Sequence, residues 1–376
     1  MVRVSNARRL VLELLERIDE TGAYANIVVP TTLNAATLER RERAMVTDLV
    51  YGITRRRRTL DALCDPHVAV PPDGPTRRLL RLGAFQLLEQ RMPRHAAVTT
   101  AVDCAPRRTR GFVNAVLRRV ADDIDAGALE QLRPAVQLSY PDWIYDRLRN
   151  ELGADDGDAA LHVMNRPPPV TVRDDGYVQD MSSALVVDAV PLDPGAVVVD
   201  MCSAPGGKAT ALAGRGAWVT ALDRHQHRAG LVAGNARRTG TEDRLDVVVA
   251  DATQPPLRRA SADVVLLDAP CSGLGALRRR PDARWRITSS DLDELVNLQG
   301  RLRVAAAELV APGGYLVYSV CTVTAAESID HPVPDGFAVD DTPLASPWRR
   351  WGPGWRIFPQ DIDSDGMTVV RYRRQR

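Results

Sequence analysis

The 376-residue sequence predicts an α/β domain with a doubly wound, Rossmann-like sheet, preceded by an all-α domain. Three observations predict it. From residue 166 onward, short apolar runs alternate with helical stretches, as strands buried on both faces do. The first 120 residues space their apolar positions every 3.6 residues and hold almost nothing strand-like. Between the two lies a passage interrupted by Pro134, Pro141 and the acidic run Asp155-Asp156-Gly157-Asp158. This pattern places an all-α domain at 1–125, a helical linker region at 126–165 and the α/β domain at 166–376, since a chain of this length exceeds one core.

The elements follow in order. Helical periodicity covers Ala7 to Ile18, Arg40 to Tyr51 and Arg77 to Leu88, with Pro71-Pro72-Asp73-Gly74-Pro75 as a break; further helices are expected at His95 to Cys104 and Arg110 to Val120. In the linker, a helix is expected from Trp143 to Leu152, with Asp142 as N-cap and Gly153 as stop. Four apolar runs then end in Asp: Ala196 to Asp200, Ala217 to Asp223, Leu245 to Asp251 and Ala262 to Asp268. Helices at Lys208 to Arg215 and Gln226 to Thr239 separate them. A long helix from Asp291 to Val310, capped by Ser290 and stopped by Pro312-Gly313-Gly314, leads to strands at Tyr315 to Val320 and Gly366 to Tyr372. Ile329 to Pro359 reads as irregular.

Composition narrows the function classes. Hydrophobic residues make up 45% of the chain, yet no run reaches the roughly 18 apolar residues of a membrane helix. The amphipathic start from Met1 to Glu20 carries Glu13, Glu16 and Asp19, which disfavours a targeting peptide. Five cysteines without a Cys-x-x-Cys pair argue against disulfides and zinc and for a reducing cytoplasm. No metal or membrane partner is expected, and the oligomeric expectation is a monomer. The net charge of +1 hides an asymmetry: residues 1–120 hold 21 Arg against 12 acidic residues, a net of +9, which leaves −8 for the remainder. A polyanion met first by the amino-terminal part would explain it, as would an arginine-rich solvated surface. Among 49 basic residues Lys208 is the only lysine, and it sits in a glycine-rich loop.

That loop, Cys202-Ser203-Ala204-Pro205-Gly206-Gly207-Lys208, lacks the spacing of a P-loop and of a dinucleotide fingerprint. It reads as a tight strand-to-helix turn in which glycines admit a ligand and the helix N-terminus favours a carboxylate. Asp223 is placed for ribose hydroxyls and Asp251 for an adenine edge, although strand-ending aspartates are as often simple caps. Ribose, adenine and carboxylate together describe S-adenosylmethionine. Cys271 and Cys321 each stand where a strand pattern gives way to a loop. A single buried cysteine is usually a small apolar core residue. Two beside a cofactor loop suit a different chemistry, because carbon 5 of a pyrimidine becomes nucleophilic only after a thiolate adds at carbon 6. A second group, a cysteine or Asp268, would then serve proton removal and thiol elimination.

The runs Asp200 to Lys208, Asp268 to Gly275, Arg279-Arg280-Pro281-Asp282 with Trp285, and Tyr318 to Thr322 resemble the RsmB/Sun family of RNA cytosine 5-methyltransferases. Arg81 to Leu88, His95 to Val98 and Gly111 to Arg118 resemble the NusB-like RNA-binding domain fused to its bacterial rRNA members. The resemblance implies methylation of RNA, 16S rRNA foremost, with Cys321 as nucleophile, Cys271 as the releasing thiol and Asp268 at cytosine and cofactor. It assigns S-adenosyl-L-methionine to Cys202 to Lys208, Asp223, Asp251 and Asp268. Arg278, Arg279, Arg280, Arg284, Arg286 and Arg55 to Arg58 become candidate phosphate contacts. The chain departs from the family where only nine residues separate Asn165-Arg166-Pro167-Pro168-Pro169 from Gln179-Asp180-Met181-Ser182-Ser183, in place of a small α+β subdomain. Val320 stands in place of the usual Thr, and the tail lacks an aromatic pair. The same reaction on tRNA, or a catalytically silent RNA-binding or ribosome-assembly factor, are the alternatives.

Overall fold

The computed structural model describes residues 6–376, so Met1 to Ser5 of the amphipathic start lie outside the described residues. Two compact units form. One holds the described residues up to Arg147 together with Asn165–Pro167 and Leu277–Arg286; the other holds Leu148–Met164, Pro168–Ala276 and Ile287–Arg376. Residues 126–165, expected as a linker, divide between them.

The first unit is helical: α1 (Asn6–Glu20), α2 (Ala25–Ala35), α3 (Arg40–Cys64), α4 (Gly74–Leu88), α5 (Arg94–Cys104), α6 (Arg110–Asp125) and the single turn α7 (Pro134–Gln137). Their apolar faces meet in one core that includes Val11, Leu14, Leu49, Ile53, Leu80, Leu82, Val116 and Leu117. Local signals set the boundaries. Asp73 accepts the Thr76 amide at 2.9 Å to start α4, and Glu39 and Glu42 form a reciprocal box that starts α3. The sequence reading missed α2, whose interior Pro30 argues against a helix. Ala25, Val28, Val29 and Leu33 nevertheless form its buried stripe, and burial outweighs propensity there.

α8 (Asp142–Leu152) runs from one unit into the other, and α9 (Ala154–Val163) follows a left-handed Gly153. Asp142 is not the expected cap: it lies inside α8, and its carboxylate takes both terminal nitrogens of Arg58, at 2.8 and 3.1 Å. The acidic run expected as linker supplies the first turn of α9, where carboxylates face the positive end of the helix dipole.

The second unit is built on a sheet. α10 (Met181–Asp188) precedes β1 (Val197–Asp200); α11 (Gly207–Gly214), β2 (Trp218–Asp223), α12 (Gln226–Thr239), β3 (Leu245–Val249) and β4 (Ala262–Asp268) follow. α13 (Ser289–Leu309), β5 (Val310–Val320), β6 (Phe337–Val339), β7 (Arg349–Trp351), β8 (Gly354–Ile357) and β9 (Met367–Arg374) complete it. The strand order is β3-β2-β1-β4-β5-β9-β8-β7, parallel through β5 and antiparallel beyond, with β6 on β9. Alternation decides the layers: Val198, Val264, Leu266 and Val317 pack on one face, and Val199, Val265, Leu267, Leu316 and Tyr318 on the other. Three expectations are corrected. The residues from Ile329 to Pro359 hold three short strands; Thr288, in a box with Asp291, caps α13 in place of Ser290; and β3 stops at Val249, two residues short of Asp251. Among the described residues no helix is long and apolar enough to cross a membrane.

Candidate active site

The carboxyl ends of β1, β2, β4 and β5 lie along one edge of the parallel sheet, the edge at which such folds bind ligands. Register brings the residues together there. Asp268 pairs with Ser319 across β4 and β5, and Asp200 pairs with Leu266 across β1 and β4.

Lys208, in the first turn of α11 and 9% exposed, donates from Nζ to Asp268 Oδ2 at 2.6 Å. Ser319 Oγ donates to the other oxygen, Asp268 Oδ1, at 2.8 Å. Burial opposes the charge on Lys208, but Asp268 beside it, with Asp200 and Cys321 nearby, holds its pKa above the ordinary lysine value. The only lysine is therefore a fixed, buried ammonium. Asp200, 1% exposed, differs: burial first and the like charge of Asp268 second push its pKa up to about 7. Ser203 and the Cys202 amide lie close by, yet neither carboxylate oxygen of Asp200 closes a hydrogen bond of good geometry. Cys202 is raised too, by burial and then by Asp200, Asp268 and Asp223 around it, which keeps it a thiol.

The two glycines lie where the chain itself leaves no room for a side chain. Gly206 caps α11 with φ of +102°, and a Cβ there would stand 3.1 Å from the Val232 backbone; a Cβ on Gly207 would stand 3.0 Å from the Tyr177 ring. Arg228 donates to the Ala204 carbonyl at 2.9 Å and Asn235 to the Pro205 carbonyl at 2.8 Å, so α12 holds the loop. Asp223, buried, accepts the His225 amide at 2.9 Å and faces Arg228 at 3.4 Å. Asp251 is exposed and commits Oδ1 to the amide and hydroxyl of Thr253, at 2.9 and 2.8 Å, which hold its pKa below the ordinary value. One of its oxygens is thus a local cap, and Oδ2 remains for other contacts.

The two candidate thiols meet. Cys271 Sγ and Cys321 Sγ lie 3.3 Å apart at the start of the loops that follow β4 and β5. Backbone bonds lace these loops: the Gly275 amide donates to the Cys321 carbonyl at 3.1 Å, and the Gly366 amide to the Gly275 carbonyl at 2.8 Å. Only glycine fits at 275, since a Cβ would stand 2.3 Å from the Gly366 oxygen. The hydrogen bond with Cys321, then burial, then the charges of Cys321 and Glu327 hold the Cys271 pKa well above that of an ordinary thiol.

Two features escaped the sequence. Residues 171–179 form a short hairpin in which Arg173 donates to the Gly207 carbonyl at 2.6 Å and to Thr210 Oγ1 at 3.2 Å, while its guanidinium lies 4.8 Å from the Tyr177 ring centroid. This segment thereby reaches the glycine-rich loop. Glu327 is fully buried against the residues that follow both cysteines. Position in sequence carried no signal for it.

The arginine expectation is overturned for four of its nine residues. In the first unit Arg55, Arg56, Arg278 and Arg284 are buried. They donate to the Arg278, Gln137, Pro167 and Ser139 carbonyls at 3.1, 2.8, 2.6 and 3.2 Å respectively, and Arg284 also lies 4.0 Å over the Tyr140 ring. Guanidiniums spent on interior carbonyls cannot meet phosphates. Arg58 is paired with Asp142 and Arg286 with Asp282; Arg280 is exposed.

Residues 188–333 match the family described as 16S rRNA methyltransferase RsmB/F, and residues 5–122 match the NusB family. A putative methyltransferase of Mycobacterium tuberculosis is 34% identical, with 98% of this chain and 96% of that protein covered. That alignment runs over 448 positions against 376 residues here, so the relative carries insertions that this chain lacks. Ribosomal RNA small subunit methyltransferase B of Thermus thermophilus is 34% identical over 87% of this chain and 86% of its own. In fold, the crystal structure of a protein called PH0851 superposes with a TM-score of 0.75 at 23% identity, over 97% of this chain and 98% of that one.

Proposed function

The chain belongs to the RsmB/F family of 16S rRNA methyltransferases, and from that premise we propose that it methylates carbon 5 of a cytosine in 16S rRNA in the cytoplasm, with S-adenosylmethionine as methyl donor and Cys321 as nucleophile. The observation that carries the reading is the pair of thiols 3.3 Å apart on the strand ends next to the Lys208–Asp268 pair.

The residues fit the cofactor. Asp200 offers a buried carboxylate without a closed hydrogen bond, which suits the cationic end of the molecule, and Asp223 offers a carboxylate for ribose hydroxyls. The turn from Cys202 to Lys208 lies at the N-terminus of α11, and Asp251 Oδ2 is available to an adenine edge. When bound, S-adenosylmethionine supplies an electrophilic methyl group.

The protein's part is covalent catalysis and charge control. Cys321 gives its proton to water and its thiolate sulfur bonds to carbon 6 of the cytosine, and the electron pair displaced from the carbon 5–carbon 6 double bond makes carbon 5 nucleophilic. Asp268, fixed by Lys208 and Ser319, contacts the base, and the Lys208 ammonium offsets the negative charge that develops on the ring. After methyl transfer the carbon 5 proton leaves to Asp268 or water, and the returning electron pair breaks the carbon–sulfur bond. Cys271, held as a thiol, donates a hydrogen bond to the departing Cys321 sulfur. Retention of this set together argues against a silent assembly factor, which has no physical need of it.

The test is incubation of wild type, Cys321→Ala and Cys271→Ala with methyl-labelled S-adenosylmethionine and unmodified 16S rRNA. Label enters RNA with wild type, none enters with Cys321→Ala, and Cys271→Ala accumulates a protein–RNA adduct on a denaturing gel. Label transfer by Cys321→Ala contradicts the nucleophile assignment, and cofactor binding without transfer by wild type supports the silent factor.

A further inference from the structure

Glu327 lies six residues beyond Cys321 and is 0% exposed. Its Oε2 accepts the hydroxyls of Ser272 at 2.6 Å, Thr324 at 2.9 Å and Thr322 at 3.3 Å. Oε1 accepts the Ser272 amide at 2.7 Å and Gln299 Nε2 at 3.3 Å. Ser272 directly follows Cys271, and Thr322 directly follows Cys321. The same Gln299 amide also holds the carbonyl of Pro270, the residue before Cys271, at 2.9 Å. The Glu327 backbone is fixed in turn, because its carbonyl receives the Tyr318 hydroxyl at 2.5 Å from the interior of β5.

We propose that Glu327 is the positioning residue of the two-thiol centre: one buried carboxylate that clamps the loop after β4 to the loop after β5 and so sets the approach of Cys271 to Cys321. The proposal rests on the reading of both cysteines as participants in methyl transfer.

A carboxylate removed from water loses its hydration, and that loss is offset only where donors fill its lone pairs. Here the donors come from two loops fifty residues apart in sequence, so neither loop can move away without leaving that carboxylate unsatisfied. The clamp is therefore stiff in the direction that separates the thiols. Stiffness matters because a nucleophile and its releasing partner must stay on the same carbon–sulfur bond, and a misplacement of about 1 Å costs on the order of a hundredfold in rate. Charge acts in the same sense. Glu327 is among the groups that keep Cys271 protonated, whereas Cys321 is the thiol close enough to strengthen the charge on Lys208.

Glu327→Gln tests this, since it keeps the volume but turns one acceptor into a donor facing other donors. Single-turnover methyl transfer should fall less than steady-state turnover, which should drop at least tenfold, and the protein–RNA adduct should build up as with Cys271→Ala. KM for the RNA should stay within threefold of wild type. Ser272→Ala, which removes one hydroxyl of the clamp, should show the same adduct at lower amplitude and keeps the test open if Glu327→Gln does not fold. Adduct clearance at the wild-type rate, or parallel loss of stability, single-turnover transfer and turnover without adduct, overturns the proposal. The two readings separate cleanly: methyl transfer by Cys321→Ala defeats the nucleophile assignment, whereas an inactive Cys321→Ala beside a Glu327→Gln that clears its adduct normally defeats only the clamp.

Discussion

A carboxylate with a pKa near 7 at the end of β1 makes Asp200 a charge that changes within the working pH range. Burial raises it first and Asp268 second, so a cationic ligand end arriving beside it must draw its proton off. Binding of S-adenosylhomocysteine should accordingly strengthen roughly tenfold between pH 6 and pH 8 and release a proton near pH 6, measured by calorimetry in two buffers. Asp200→Asn should flatten that profile. The sign for the ligand-free protein is opposite: a folded pKa raised above the ordinary 3.8 contributes stability that is complete below that value and is lost as pH rises through about 7. At this scale the sequence was legible where chemistry sits on strand ends. Asp268, Cys271 and Cys321 were recognisable by type and place, and the structure brings them to one edge. Glu327 was not, because its donors come from loops that only the fold assembles. Nor was the burial of Arg55, Arg56, Arg278 and Arg284, since a guanidinium on an interior carbonyl looks in sequence like one on a phosphate.

Among the elements, the alternating strands and helices of residues 196–268 were legible because both faces of each parallel strand are apolar, and α12 matches its expected bounds. What was missed carries weak periodicity. β6, β7 and β8 are three or four residues long, too short to show alternation, and α2 depends on packing that Pro30 conceals. The hairpin at residues 171–179 is tied to α11. Arg173 links it to the Gly207 carbonyl and to Thr210, both on α11, which begins in the glycine-rich loop. Arg173→Ala removes these bonds, each worth about 1 kcal/mol. The affinity for S-adenosylhomocysteine should fall about three- to tenfold while the unfolding temperature changes little, both measured on one preparation.

For the whole molecule, the excess of arginine in the first 120 residues overstated the charge available to a polyanion. Arg78 pairs with Glu16 and Glu20, Arg81 with Asp19 and Asp61, and the buried guanidiniums serve the interior of the first unit. Arg284→Ala should therefore lower stability by about 3 kcal/mol, as interior carbonyls left without a donor do, and leave the salt dependence of rRNA binding unchanged. A reduced salt slope would restore Arg284 as a phosphate contact. A cysteine-activated cytosine as methyl acceptor leaves its mark in the nucleoside formed. After reaction of the wild-type protein with unmodified 16S rRNA and S-adenosylmethionine, digestion and mass spectrometry should find 5-methylcytidine, and none after reaction of Cys321→Ala. A methylated nucleoside other than 5-methylcytidine, or 5-methylcytidine made by Cys321→Ala, would contradict the account.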